Sequence, residues 1–248
     1  MRKYGWKRDK YDARDFKYRH LTLTSLFTPS LVDLRDVDVP VFDQGQEGSC
    51  TANGTCGVLE FILQKSQLST FQKPLSRQYV YYNERVNEGT IDEDSGASIR
   101  DIIKAVTVQG ACTEELWPYS KPFQEKPSVE AYNDGEKRNG FVFQRLVGIQ
   151  EMKQCLASGF PFIFGFMVFE SFEGPLIAKT GQMQMPMPNE QCLGGHEVMC
   201  VGYNDNSKEM IVKNSWGAGW GDKGYFYMPY EFITNPQLAA DFWTIRLK

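Results

Sequence analysis

Between Cys50 and Gln64, Ala52, Cys56, Leu59 and Leu63 recur at intervals of three and four. That spacing stacks them on one face of an amphipathic helix. Gly54 and Gly57 interrupt the pattern, each costing up to about 1 kcal/mol of helix propensity. Their presence predicts close packing against another segment. A second helix is predicted over Ile99–Val108, entered after Ser95-Gly96-Ala97-Ser98 and stopped by Gly110. Past Gly140 the pattern changes. Phe141–Phe143, Phe162–Phe169, Val198–Val201 and Met210–Val212 are short apolar runs that read as strands. Helices first and strands later predict an α+β chain. Met183-Gln184-Met185-Pro186-Met187-Pro188 reads as a mobile surface loop.

A chain of 248 residues can hold one large domain or two small ones around a single cleft. Its 42% hydrophobic and 23% charged residues are those of an ordinary globular protein. A net charge of −4 gives no basic stripe for nucleic acid. The charge is unevenly placed, because residues 1–20 carry eight Lys/Arg against three Asp, leaving the rest of the chain acidic. The longest apolar run, Phe160–Phe169, is too short to span a bilayer, and no membrane association is expected. Met1-Arg2-Lys3-Tyr4-Gly5-Trp6 has no apolar signal segment, so an intracellular location is expected. Six cysteines without a Cys-x-x-Cys pair then read as reduced thiols, with Cys56, Cys112, Cys155, Cys192 and Cys200 mostly small buried hydrophobes. With only His20 and His196 beside them, no zinc site is expected.

The candidate chemistry begins at Cys50, which ends the glycine-rich turn Gln44-Gly45-Gln46-Glu47-Gly48-Ser49 and opens the first helix. A thiol there has the first helical N–H groups behind it, which favours the thiolate. Far downstream stand Gly194-Gly195-His196-Glu197-Val198 and Val212-Lys213-Asn214-Ser215-Trp216-Gly217. Cysteine, histidine and asparagine in that order form the constellation of a thiol hydrolase. Singly, each has a plainer reading: a buried inert thiol, a core histidine, a turn asparagine, core tryptophans. Together they point to catalysis.

These segments resemble the papain family of cysteine peptidases. Gln44 precedes Cys50 by six residues, as the family's oxyanion-hole glutamine precedes its nucleophile. Asn214-Ser215-Trp216-Gly217-Ala218-Gly219-Trp220-Gly221 followed by Gly224-Tyr225 is similar to the family's asparagine–tryptophan loop, Asp33-Leu34-Arg35 to the start of the mature enzyme, and Trp117-Pro118-Tyr119 to another landmark. The similarity runs from about Val32 to the C-terminus. Glu47 and Thr51 stand where the usual signature has a cysteine and an aromatic, which implies that one common disulfide is absent. His196 follows Cys50 by 146 residues, within the usual spacing, and Asn214 by 164, somewhat beyond it. The pattern looks most like the short bacterial and large-virus branch.

The resemblance implies a papain-like two-lobed fold: a helical left lobe over about 32–140, a β-barrel-like right lobe over 141–248, and the active site in the cleft between them. It implies a cysteine endopeptidase, monomeric and without cofactor or metal, acting on peptides or proteins through an acyl-enzyme. Cys50, His196, Asn214 and Gln44 would be catalytic. Gly96, Ala97, Ser98, Ile99, Gly195, Glu197, Trp216 and Trp220 would meet substrate. Gly96-Ala97 would pair with its main chain, and the Glu197 carboxylate would favour a basic side chain unless a local Lys or Arg neutralises it. An exopeptidase, an isopeptidase-like processor or a non-catalytic binding homologue are the alternatives. Residues 1–31 are too short for the family's helical propeptide. By analogy they would form a zymogen-like lid across the cleft, or else pack their aromatics on the back of a lobe as permanent structure.

Overall fold

The computed structural model describes residues 2–18, 28–37, 39–66 and 74–248; His20 and Phe27 lie outside them. Among the described residues the helices are α1 (Cys50–Lys65), α2 (Arg77–Glu88), α3 (Ile99–Gln109), α4 (Val129–Gly135), α5 (Gly148–Ala157), α6 (Pro175–Thr180) and α7 (Tyr230–Thr234). The strands are β1 (Trp6–Lys7), β2 (Leu31–Asp33), β3 (Ala97–Ser98), β4 (Phe141–Arg145), β5 (Phe162–Phe169), β6 (Cys192–Asn204), β7 (Glu209–Lys213), β8 (Tyr225–Pro229) and β9 (Ala239–Leu247).

Helices α1–α4 precede a seven-stranded antiparallel sheet of order β4-β9-β5-β6-β7-β8, with β2 added on β6. This is the papain-like α+β arrangement, with one difference from a barrel. No ladder joins β4 to β8, so the right lobe is an open sheet with two edges.

Helix α1 lies at the centre. It is buried from Cys50 to Leu63, so it is enclosed on all sides rather than amphipathic. Its glycines explain how it approaches the sheet so closely. A Cβ on Gly54 would lie 2.1 Å from Glu197 Oε2, and one on Gly57 would touch Met199 Sδ at 3.3 Å. One apolar core joins α1, α2 and α3 to the near face of the sheet through Leu59, Phe61, Ile102, Ile163, Val201 and Trp243. A second fills the right lobe around Phe164, Phe166, Val212 and Phe226. It includes Met183, so the methionine-rich loop is tied down at one end, where Met183 N–H donates to Tyr227 O; of its three methionines Met187 alone is exposed. All six cysteines are free, and Cys192, at the first position of β6, is exposed rather than buried.

Arg85 of α2 is wholly buried, yet its partners are carbonyls rather than carboxylates. It donates to the carbonyls of Tyr81, Ile91, Glu93 and Phe123 and lies between the Tyr81 and Phe123 rings. It thereby fixes the loop that delivers Gly96 to the cleft. Arg85→Met should cost about 3 kcal/mol or more, because each orphaned acceptor costs about 1–3 kcal/mol. The check is the urea unfolding midpoint, and an unchanged midpoint would refute this role.

Candidate active site

Cys50 is the first residue of α1, at the end of a turn that Gly45 closes with φ +63°. The side chain of the preceding Ser49 does not cap the helix; its Oγ meets Tyr119 Oη at 2.5 Å and receives Asn53 Nδ2 at 3.1 Å. Tyr119 Oη also donates to the Gln44 carbonyl at 3.0 Å. The Gln44 side chain is held at both ends. Its Oε1 accepts from Ser215 Oγ at 2.7 Å, and its Nε2 donates one hydrogen to Glu47 O at 2.9 Å, leaving the second free. Ser215 also receives Gln44 N–H on its carbonyl at 2.9 Å, so the turn before Cys50 is stitched to the loop after β7.

On the opposite wall β6 carries His196, fully buried, with Nε2 at 2.8 Å from Asn214 Oδ1. That oxygen also accepts from Ser215 N–H at 2.8 Å, which orients the amide. His196 Nδ1 is buried without a partner, so one ring nitrogen is committed and the other is available. The imidazole lies against Trp216, centroids 5.1 Å apart, and Trp216 packs on Trp220 and Phe172. This aromatic wall excludes water from the His196–Asn214 bond.

The cleft between these walls is occupied by the chain's own N-terminal segment. Strand β1 pairs in parallel with β3, Trp6 opposite Ala97 and Lys7 opposite Ser98, and Ala97 N–H donates to Gly5 O at 2.8 Å. Gly5 crosses at Cys50, with its backbone N–H toward the sulfur. A Cβ there would lie 1.8 Å from Gly48 O, and Gly96, at φ +65°, has no room for one against Gly5. On one side of the crossing Tyr4 packs against His196 and Trp216 and donates to Glu173, while the Arg2 guanidinium lies 4.1 Å over Trp216. On the other side Trp6 is buried on Gly165 and Gly195. Lys3 and Lys7 pair with Asp94 and Glu88. Beyond, the buried Asp9 carboxylate receives Arg100 N–H from α3 and both Arg145 and Trp243 Nε1 from the sheet, tying the segment to both lobes. Tyr18 is buried farther along, whereas Tyr11 and Phe16 are exposed.

Burial under this segment sets the protonation of the pair. It pushes the Cys50 thiol up to about 12; Glu197 adds to the rise, and the backbone N–H groups of Glu197 and Gly5 oppose it. The same burial pulls His196 down to about 4, against the Asn214 bond that favours the imidazolium. The covered pair is therefore neutral, although the helix N-terminus behind Cys50 favours a thiolate.

His196, Asn214 and Gln44 are thus linked through Ser215, Cys50 meets the backbone N–H of Glu197 beside His196, and Gly96, Ala97, Gly195 and Trp216 line the occupied cleft. Three other expected residues turn elsewhere. Ser98 caps α3 through Asp101 N–H, Ile99 is in the left-lobe core, and Trp220 packs behind Trp216. Glu197 is fully buried, and neither carboxyl oxygen has a Lys, Arg or other hydrogen-bond partner among the described residues. Sequence reasoning missed Gly165, and it gave Ser215 and Tyr119 no role beyond their motifs and Trp6 none beyond that of an aromatic in the segment. A signal existed for Gly165, a glycine interrupting an otherwise apolar strand, where something must approach closely.

Comparisons with known proteins agree with this geometry. The model of papain family cysteine proteases matches residues 28–240. An uncharacterized peptidase C1-like protein of Acanthamoeba polyphaga mimivirus is 39% identical over 99% of this chain and 87% of its own length. The crystal structure of xylellain, a cysteine protease from Xylella fastidiosa, is 39% identical and superposes with a TM-score of 0.94, covering 100% of this chain and 98% of that one. Procathepsin L 3 of Tenebrio molitor shares the fold at 19% identity, with a TM-score of 0.73 over 99% of this chain and 76% of its own. A thiol opening a buried helix, an imidazole held by an asparagine amide and family similarity over most of the chain converge: the protein belongs to the papain family of cysteine peptidases.

Proposed function

We propose that the chain is an endopeptidase whose nucleophile is Cys50 and whose N-terminal segment is its own inhibitor. The observation that carries the endopeptidase reading is that Arg2 and Tyr4 on one side of the Gly5–Cys50 crossing, and Trp6 and Lys7 on the other, extend along the cleft. A cleft that holds chain on both sides of the nucleophile suits cleavage within a polypeptide. An exopeptidase needs one end closed.

When a peptide replaces the segment, water reaches the pair, the thiol falls and the imidazole rises toward the thiolate–imidazolium form. Cys50 Sγ attacks the carbonyl, and the oxyanion is received by Cys50 N–H and the free hydrogen of Gln44 Nε2. His196 gives its proton from Nδ1 to the leaving amine, then takes one from the water that hydrolyses the thioester. Asn214 Oδ1 keeps Nε2–H engaged throughout, so Nδ1 is the nitrogen that shuttles. The segment opposes all of this in two ways: it fills the space of the substrate, and it desolvates the pair into its neutral form. Its parallel pairing with β3 supports its resistance to cleavage. His196 and Trp216 mark the leaving-group side, and they face the N-terminal part of the segment, where a substrate would present its C-terminal part.

The test is labelling with a thiol-directed epoxide of a protein that begins near Ser30, where the segment no longer covers Cys50, and mapping of the modified cysteine. Modification at Cys50 is expected; modification confined to the exposed Cys192 would refute the assignment.

A further inference from the structure

Among the described residues, α1, α2, α3 and α4 each follow a serine, and three of those serines cap their helices. Ser76, Ser98 and Ser128 accept the backbone N–H of Tyr79, Asp101 and Ala131. Ser49, which precedes Cys50, makes no such bond. Its hydroxyl is turned toward Tyr119 instead. The phenol has one proton and donates it to the Gln44 carbonyl at 3.0 Å, so in the 2.5 Å contact Ser49 Oγ is the donor. Asn53 Nδ2 donates to Ser49 Oγ at 3.1 Å, and Arg77 donates to Asn53 Oδ1 at 3.1 Å. The chain of bonds therefore runs in one direction, from Arg77 through Asn53, Ser49 and Tyr119 to Gln44. Tyr119 is itself braced. Its ring lies 3.9 Å from the Arg77 guanidinium, and its N–H is donated to Glu114 Oε1 at 2.6 Å. Burial pushes the phenol up, so it keeps its proton at neutral pH.

Resting on the peptidase reading, we infer that Tyr119 is a positioning residue for the oxyanion site, holding its two donors in one fixed relation. One donor is Cys50 N–H, part of the Ser49–Cys50 peptide; the other is Gln44 Nε2. The Tyr119 hydroxyl is hydrogen-bonded to both Ser49 and Gln44. The bonds inside the turn, Glu47 N–H to Gln44 O at 3.3 Å and Gln44 Nε2 to Glu47 O at 2.9 Å, stop short of Ser49, so this hydroxyl closes it. Without the phenol oxygen, Ser49 Oγ is free to cap α1 as the other serines cap their helices, and the Ser49–Cys50 peptide turns with it. Tyr119 acts through Ser49 and Gln44 rather than on substrate.

The experiment compares Tyr119→Phe with the wild type, both full-length, by two reactions of Cys50. Hydrolysis of a quenched fluorescent peptide passes through an oxyanion; alkylation by iodoacetamide, in which the sulfur displaces iodide, does not. Alkylation also reports how far the N-terminal segment covers Cys50, so the ratio of the two rates is free of any change in docking. Tyr119→Phe should lower kcat about 30-fold, with KM and the alkylation rate each within about twofold. Because the two hydroxyls act through one bond, the Ser49→Ala/Tyr119→Phe double variant should be no slower than Tyr119→Phe. If Tyr119→Phe melts as an unfolded protein, Ser49→Ala makes the same comparison, with an expected fall of about fivefold. Wild-type kcat in a folded variant overturns the role. Alkylation that falls in step with hydrolysis does so too, since a loosened turn would slow both. No hydrolysis of any peptide and no labelling of Cys50, even when Trp6→Ala weakens the segment, overturns the peptidase reading itself.

Discussion

Cys50→Ala should lose peptide hydrolysis by about 10⁴-fold or more while the fold survives, because it deletes the covalent step and little else. The sulfur is fully buried, so the cavity left behind costs about 1 kcal/mol of stability, too little to unfold the chain. Cys56 is the control. It is six residues farther along the same helix and equally buried, but its neighbours are Glu60, Arg77 and Cys112 rather than Glu197 and Gly5. Cys56→Ala should retain most activity at a similar cost in stability. Initial rates and thermal melts of the two variants, side by side, separate the chemical role of a cysteine from its packing role. Parental activity in Cys50→Ala would end the assignment.

The second large effect concerns the N-terminal segment. A protein beginning near Ser30 should cleave small peptides at least about tenfold faster than the full chain, since a tethered segment acts at an effective concentration near millimolar. For the same reason residues 1–29 added back as a free peptide should inhibit only weakly. Trp6→Ala gives a milder version within the full chain. Emptying the buried indole site should weaken docking by about 3–5 kcal/mol, enough to shift a closed population substantially toward open. Alkylation of Cys50 near pH 6 should accelerate in parallel with peptidase activity, because release removes the burial that holds the thiol up and the imidazole down. The same segment also fills sites on both lobes through Asp9 and Tyr18, so truncation should lower the melting temperature. A truncated or Trp6→Ala protein that folds normally and gains neither activity nor thiol reactivity would sink the inhibitor reading.

Much of this was legible in the sequence, and the remainder was hidden for definite reasons. The periodicity around Leu59 and Leu63 places α1 to within a residue, and the run Phe162–Phe169 coincides with β5 because a strand buried on both faces is written as continuous apolar residues. Strand β6 was read only over Val198–Val201 although it spans Cys192–Asn204. Gly194, Gly195, His196 and Glu197 carry no strand signal of their own; Tyr4 and Trp6, nearly two hundred residues away in the chain, cover Gly194, Gly195 and His196, and Gly54 of α1 covers Glu197. Helix α2 was missed behind its tyrosines, although Ser76 caps Tyr79 N–H and Gly89 stops it at φ +71°. The catalytic candidates were readable because each sits in its own short motif. The hollow under Trp6 was not, because it is made of side chains that are absent.

One tie near the nucleophile has a chemical consequence of its own. Next to Glu47, where the family signature has a cysteine, Gly48 N–H is held by Asp94 Oδ1 at 2.9 Å, and the same carboxylate takes Tyr81 Oη at 2.5 Å and Lys3 Nζ at 2.7 Å. Burial opposes the charge on Asp94, but the bonds from Lys3, Tyr81 and Gly48 outweigh it and leave its carboxyl below the ordinary range. A lowered native value means that this support is complete above the unfolded carboxyl's range and fades as pH falls through the native one. Where a disulfide would make the turn sensitive to thiols, a carboxylate makes it sensitive to acid. Reductants strong enough to open cystines should leave the turn before Cys50 untouched, while a brief exposure to strong acid should loosen the turn and, with Lys3 released, the N-terminal segment together.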